Sequence, residues 1–408
     1  MKRTLLSIAI TLATIFITPG VGYAVDLFGV EVTYSGGTIT QSASSLPDLV
    51  DALINNQGDF APLIGSDFTG SLTYYGLPGA VTVDVQGTTQ LTITSPLTGL
   101  NRTFTGTSRS DLENQLEDWL LEQGDEEVAR LIEAAAQRSA AAITDGNPSS
   151  ATARMADRAF GTFGLYQPAN LAPGGRPSKH AGIWFHTRQS KAETPIGIVD
   201  GADYEIHIPW WVNLGERVSL IGSNSGQYLD SEGTEIYGGG LDLGLGIWPV
   251  VRGPDDTFGW QITPFAGLHA LGTYGGAAGG LLDQFGVTNR LEFKLSEDVL
   301  LVVANQFSHF DSLKLEIEDV EIDPQLDQQV VKNAVSVDLP LSNVKGIFVN
   351  GFITDTRFLQ DAAVDNYQTL GGGLSLRRER MSLNAYVSRD FAGDFRSWNA
   401  GVGFVFGL

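Results

Sequence analysis

Five histidines, His180, His186, His207, His269 and His309, are the side chains best suited to proton transfer near neutral pH. A serine hydrolase would set one of them beside a nucleophile on a sharp Gly-x-Ser-x-Gly turn. The chain offers only Gly222-Ser223-Asn224-Ser225-Gly226, in which Asn224 stands at the nucleophile's place. No His-Glu-x-x-His pair is available to hold zinc. Asp319, Glu321 and Asp323 have the spacing of the first calcium-loop ligands, but Pro324 occupies the sixth position, where Gly is needed, and Val330 the twelfth, where Glu belongs. With Glu316, Glu318 and Asp327 they read as a solvated acidic loop that attracts divalent cations loosely at most. Cysteine is absent, so thiolate catalysis, disulfides and cysteine-ligated metal are all excluded. The residues therefore specify no catalytic set, no metal site and no cofactor, and a lumenal or surface hydrolase is the least favoured function.

Charge pairing is the chemistry that remains. Arg188, Arg290, Lys294, Lys332, Arg377 and Arg389 are expected to face Asp242, Glu292 and Asp338 across a shared interior, either lining a water path or locking together. Only strands with one wet and one greasy face can arrange them so. Val287, Leu291, Phe293 and Leu295 alternate with Thr288, Arg290, Glu292 and Lys294, and Leu241, Leu243, Leu245 and Ile247 alternate with Gly240, Asp242, Gly244 and Gly246. Ile206, Ile208, Trp210, Val212 and Leu214 likewise alternate with His207, Pro209, Trp211 and Asn213. A charged inner face cannot be a sandwich core, whereas a charge on a lipid-facing side costs about 2–4 kcal/mol at the bilayer midplane. His186, His207 and His269 fall on the wet side by the same alternation, as ordinary polar wall residues.

Period-two segments run over 181–190, 203–214, 216–228, 235–249, 257–271, 284–296, 298–310, 329–341, 344–356, 366–377, 380–391 and 396–408. Twelve is an even count, as a closed antiparallel barrel of this class requires, and links after segments 1, 5, 7 and 9 read as long where those after even segments read mostly as tight. In the last segment Trp398, Ala400, Val402, Phe404, Phe406 and Leu408 share one face, and Asn399, Gly401, Gly403, Val405 and Gly407 the other. Trp398, Val402, Phe404, Phe406 and Leu408 resemble the C-terminal assembly signal of Gram-negative outer-membrane proteins, with Leu408 in place of the usual aromatic end. Trp184, Trp210, Trp211, Trp248, Trp260 and Trp398 lie near segment ends, as in an interfacial aromatic girdle, with Trp119 the helical exception.

The N-terminal part divides further. Lys2 and Arg3, an apolar 5–17 and Gly22-Tyr23-Ala24 make residues 1–24 a signal peptide cleaved after Ala24. No later run is long and apolar enough for a helical span, so only a closed barrel can put this chain in a bilayer. Residues 25–107 read as a small α+β unit, with strands at 81–85 and 90–94 and a helix near 46–56. Residues 108–166 are helical: Ser110 and Glu113 form a capping box, and a second helix stops at Asp145-Gly146-Asn147-Pro148. This segment is either a hairpin packed on the preceding unit or, over 151–163 with Arg154 and Arg158, a plug entering the barrel. A Pro- and Gly-rich linker at 167–180 precedes the barrel at 181–408.

The fold class is thus mainly β, an approximately twelve-stranded antiparallel transmembrane barrel with a smaller N-terminal α+β and helical segment. Signal peptide, N-terminal region, helix and twelve terminal strands together resemble the autotransporter-type translocator domain over 181–408. The resemblance implies an integral outer-membrane anchor or translocator for the chain's own N-terminal region, porin-like in architecture, with a plugged pore or solute channel as the alternative. The N-terminal region is short and lacks solenoid repeats, so its export, periplasmic placement or lumenal placement all stay open. A net charge of −22 disfavours nucleic acid and anionic surfaces. The expected partners are outer-membrane lipid, lipopolysaccharide and the barrel assembly machinery; the oligomeric state is not specified.

Overall fold

The computed structural model describes residues 28–43, 63, 66–74, 77–112, 114–116, 118–119, 130–131, 134, 147–165, 179–194, 197–231, 234–252, 256–273, 279–313, 315–317, 320–322, 327–341, 346–360, 364–378, 380–393 and 395–408. The leader expected at 1–24, the helix expected at 46–56, and acidic Glu318, Asp319 and Asp323 lie outside these residues.

Twelve strands close into an antiparallel barrel: β7 (Lys179–Thr194), β8 (Gly197–Asn213), β9 (Val218–Ser231), β10 (Thr234–Val250), β11 (Phe258–Thr273), β12 (Gly279–Lys294), β13 (Leu300–Leu313), β16 (Asp327–Pro340), β17 (Ile347–Phe358), β18 (Asn366–Arg378), β19 (Met381–Ala392) and β20 (Phe395–Gly407). Each falls on one of the twelve period-two segments. The last strand pairs with the first, from Phe395 opposite Ala192 to Gly407 opposite His180, so no sheet edge is left open. Lys179 and Gly407 therefore share one end of the barrel, here the terminal end; the opposite rim is the far end. A tilted strand needs about 9–11 residues to cross a bilayer, and these run to 17. The surplus extends the hairpins, which corrects the expectation of a long link after the first strand: pairing continues until Thr194 faces Gly197. After β13 a small hairpin, β14 (Leu315–Ile317) and β15 (Val320–Ile322), takes up part of the acidic loop.

The outer surface is apolar. Leu241, Leu243, Leu245 and Ile247 on β10, Phe285 and Val287 on β12, and Trp398 and Val402 on β20 are each 39 to 57% exposed, at positions that a water-soluble fold would bury. Among the tryptophans, Trp210, Trp260 and Trp398 share the outward face of their strands. Trp184, Trp211 and Trp248 do not belong to the girdle expected from sequence: they are buried inside the barrel. The outer belt draws instead on tyrosine, where Tyr204, Tyr228 and Tyr237 form a row on β8, β9 and β10, the first two stacked and the last tilted. The bare inner face of β20 has a use, because a methyl group on Gly403 or Gly401 would overlap the rings of Trp184 or Tyr386.

Ahead of the barrel, β1 (Phe28–Tyr34), β2 (Gly37–Ala43), β3 (Phe68–Tyr74), β4 (Leu77–Gln86), β5 (Gln90–Ser95) and β6 (Leu100–Thr105) form one sheet in the order β2-β1-β3-β4-β5-β6. A helix beginning at residue 109 packs on it through Leu112 and Trp119, against Val85, Leu91, Ile93 and Phe104. Its cap is Ser108 rather than Ser110, since the Ser108 hydroxyl accepts the Asp111 N–H at 3.2 Å.

Candidate functional site: the occupied lumen

Helix α1 (Ala151–Phe160), continued by a wider π turn over Gly161–Leu165, lies inside the barrel. Asn147 Oδ1 takes the Ser149 N–H and Ser150 Oγ takes the Ala153 N–H, so the Asn147-Pro148-Ser149-Ser150 run starts this helix. All but one of its ten residues are buried, Arg154 and Arg158 among them. Burying cations at that depth is tolerable only when each is paired and hydrogen-bonded.

Strand β8 supplies the matching acids. Arg154 meets Asp203 at 3.5 Å, Arg158 meets Glu205 at 3.0 Å, and Thr162 Oγ1 meets His207 Nε2 at 3.1 Å. The match follows from geometry: four residues of helix rise about 6.0 Å and two residues of strand about 6.6 Å, so the two ladders keep step over two turns. Asp157, on another side of the helix, is held by Arg188 at 2.8 Å, by Lys332 Nζ, and by the Tyr367 hydroxyl at 3.2 Å. Arg188 also reaches Asn399 at 2.6 Å and the Pro148 carbonyl, and Lys332 donates to Thr356 at 2.6 Å. At the helix's other end Arg290 donates to the carbonyls of Gly164 and Leu165, which the last turn leaves without intrahelical partners. Gln306 bonds the Ala156 carbonyl at 3.3 Å.

Ser223, Asp242 and His269 have the composition of a hydrolase triad but not its wiring. Ser223 Oγ donates to Asp242 Oδ2 at 3.0 Å instead of to the imidazole. His269 spends Nε2 on Asp242 Oδ1 and Nδ1 on Arg158, each at 2.8 Å. A base with both nitrogens engaged and no serine in reach cannot activate a nucleophile. The trio extends the clamp on Arg158, which Gln227 completes at 3.2 Å.

Of the lumen-lining residues expected from sequence, Arg188, Lys332 and Arg290 grip α1, and Asp242 acts through His269. Glu292 joins Arg290 at 2.9 Å to Arg252 at 2.8 Å. Asp338 and Arg377 pair at 2.6 Å near the terminal end, away from the helix, and Lys294 lies on the inward side of β12 at that same end. Arg389 is a correction. It shares the outer face with Leu383 and Val387 and lies over Phe391 and Trp398, with its guanidinium centre 5.0 and 5.1 Å from the ring centroids. Sequence reasoning did not single out Asp157, Asp203, Glu205 or Tyr367, although each of the three strand residues has inward parity. Asp327, placed in the acidic loop, pairs on the outer rim with His309 at 3.7 Å, which bonds Asp311 at 2.9 Å.

Above the polar section the lumen turns greasy. Leu229, Ile236, Leu271, Leu282, Phe310, Val330, Phe358 and Phe395, all inward and all at the far ends of their strands, form one buried cluster with Ala151, Ala153, Met155 and Ala156 of α1. The same cluster takes in Phe28, Tyr74, Leu77, Ala80 and Leu97 of the N-terminal sheet. The sheet thus caps the far mouth. The chain runs from that cap down α1 to Leu165 near the terminal end, where β7 begins. A cavity of about 120 Å³ with charged and aromatic walls lies beside the helix, bounded by Arg188, His207, Tyr386 and Asp390, and a second of about 100 Å³ lies below it at Arg290, Asp338 and Arg377. Trp184, Phe352 and Tyr386 wall both.

No protein-family model and no curated protein matches the chain. Solved structures similar to it include the translocator domain of the autotransporter NalP from Neisseria meningitidis, at 10% identity over 63% of this chain and 96% of that one, with a TM-score of 0.45. The β domain of the Bordetella autotransporter Brka is similar at 11% identity, over 57% and 100% of the two chains, with a TM-score of 0.42. For the transport unit of the autotransporter AIDA-I from Escherichia coli the values are 8%, 58%, 95% and 0.42. Porin and solute-channel barrels are similar at TM-scores of 0.32 to 0.36. At these identities the likeness concerns the barrel fold alone.

Proposed function

We propose that this chain is an outer-membrane barrel that anchors, and carries across the membrane, its own N-terminal region. One observation supports this above the rest: α1 runs through the lumen from the far mouth to the terminal end. The first strand of an even-stranded barrel starts on the side where the last one ends, so a threaded helix sets whatever precedes it on the other. With the terminal end in the periplasm, the N-terminal sheet stands outside. Six strands at about 4.8 Å spacing are some 24 Å wide and cannot pass folded through a lumen that one helix about 10 Å across nearly fills. The N-terminal region therefore crosses unfolded, or the barrel closes around its helix, before the sheet folds over the mouth.

The cysteine-free chain allows a direct test. Thr88→Cys, in the exposed turn between β4 and β5, is expected to react with a membrane-impermeant maleimide on intact cells. Labelling only after lysis would reverse the assignment. The two cavities beside the helix favour a second reading, a plugged channel. Planar-bilayer recordings separate the two: a translocator stays closed in the full chain, whereas a channel gives steady currents when solute is present.

A further inference from the structure

The outer face of the far rim is divided by charge. Asp200, Asp230, Glu235, Asp283, Asp311, Asp327 and Asp355 occupy outward positions along one arc, from β8 round to β17, where Arg357 pairs with Asp355 at 2.7 Å and His309 with Asp311 at 2.9 Å, and acids outnumber bases. The neighbouring sector breaks the pattern. Arg389 on β19, Arg396 on β20 and Lys191 on β7 lie on adjacent strands, with Arg389 opposite Trp398, Phe391 opposite Arg396, and Arg396 opposite Lys191. Among the described outward residues of β19 and β20 there is no carboxylate. Lys191 is partly neutralised by Asp200 at 3.2 Å.

Arg389 is held in an unusual way for a residue facing the membrane. Its guanidinium lies over two aromatic rings, and its Nε is shielded from solvent with no hydrogen-bond partner. Stacking satisfies the flat faces of a guanidinium and leaves its two terminal amino groups free, a planar fork that matches a phosphate. Depth agrees. Arg396 and Phe406 are ten residues apart on β20, about 33 Å along the strand and about 25 Å along the bilayer normal at a typical tilt, which is the height of the apolar band. The basic sector thus lies at headgroup level of the leaflet nearest the far rim.

We propose that the β19–β20–β7 sector binds a phosphorylated lipid headgroup of that leaflet. Arg389 presents its fork to one phosphate, Arg396 adds a second contact, and Phe391 and Trp398 rest against the headgroup–acyl boundary. A free phosphate would use the guanidinium but gain nothing from the rings, and the acidic arc would repel both. This inference rests on the membrane reading above.

The test uses the full chain reconstituted in phosphatidylcholine vesicles with or without a bisphosphorylated glycolipid such as lipid A. Native mass spectrometry measures retained lipid and its affinity, and heat-modifiable gel mobility reports the inserted barrel. The wild type is expected to retain lipid A, and Arg389→Gln combined with Arg396→Gln to weaken it about tenfold or more with mobility unchanged. Arg389→Lys, which keeps charge but loses the fork, should fall between, and Asp283→Asn on the acidic arc should have no effect. Equal affinity in the inserted double variant would overturn this inference alone, as would displacement of the lipid by equimolar inorganic phosphate. A chain that inserts in neither vesicle would overturn it together with the membrane reading.

Discussion

At the scale of residues, Asp157 joins two strands' cations and a tyrosine to α1. Removing its carboxylate leaves Lys332, whose side chain is 2% exposed, as a buried cation short of its anion, and Arg188 with Asp390 alone at 3.8 Å. Breaking a buried pair from one side costs about 3 kcal/mol or more. Asp157→Ala is expected to lower the thermal midpoint of the barrel and, by loosening the plug, to produce transient openings in planar bilayers that the wild type lacks. Replacing both partners, as Asp157→Leu with Lys332→Met, should recover part of the stability, because matched apolar groups need no pairing. A double variant no more stable than the worse single one would show that the pair is not coupled. The cations Arg158, Arg188 and Lys332 were legible from sequence, but the acids they meet were not. Arg158 and Glu205 are 47 residues apart and Lys332 and Asp157 are 175, and nothing local marks two such positions as neighbours. Arg389 shows the opposite error: its parity with Leu383 and Val387 was available, and its charge argued falsely for the interior. Near a rim an outward side chain reaches headgroups, so polarity no longer reports the face.

At the scale of elements, the twelve strands were readable because the two-residue period is a local property that survives without knowledge of the partner strand. The N-terminal sheet was not, since only two of its six strands alternate clearly and the others have mixed faces. Its helix is fixed by Ser108 and Asp111. The carboxylate accepts the Thr107 N–H at 2.8 Å, Gln115 Nε2 at 3.3 Å and the Thr107 hydroxyl at 3.1 Å, and these donors, the backbone N–H foremost, hold its pKa below the ordinary carboxylate value. A depressed pKa contributes stability above the unfolded value that is lost as pH falls through the folded one. Asp111→Asn should therefore destabilise the N-terminal unit at neutral pH and converge with wild type in acid, as followed by proteolysis or hydrogen exchange. A difference that persists in acid would assign the effect to shape rather than charge. At the mouth, Phe395, 1% exposed, joins strand to cap. Phe395→Ala is expected to cost about 3–5 kcal/mol and to raise protease sensitivity of the N-terminal sheet before that of the barrel.

At the scale of the whole molecule, three layers are stacked along one axis: an apolar seal under the sheet, a charged belt around α1, and a cavity with charged walls at the terminal end. A permanent open pore needs none of the first layer. The seal predicts low ion permeability in the full chain, and opening on removal of the cap: a protein cleaved between sheet and α1 should leak more than the intact one, measured as dye release from vesicles. Equal leakage would place the barrier in the charged belt alone.

Composition and alternation in the sequence settled that this chain is strand-built and that twelve segments have one greasy face. These are consequences of side-chain order along one strand. What fills the cylinder, which mouth the N-terminal sheet covers and which acid meets which base were decided only in three dimensions. Closing a barrel brings together inward faces from all twelve strands, and a helix threaded among them selects its partners by height and angle, coordinates that no stretch of sequence contains.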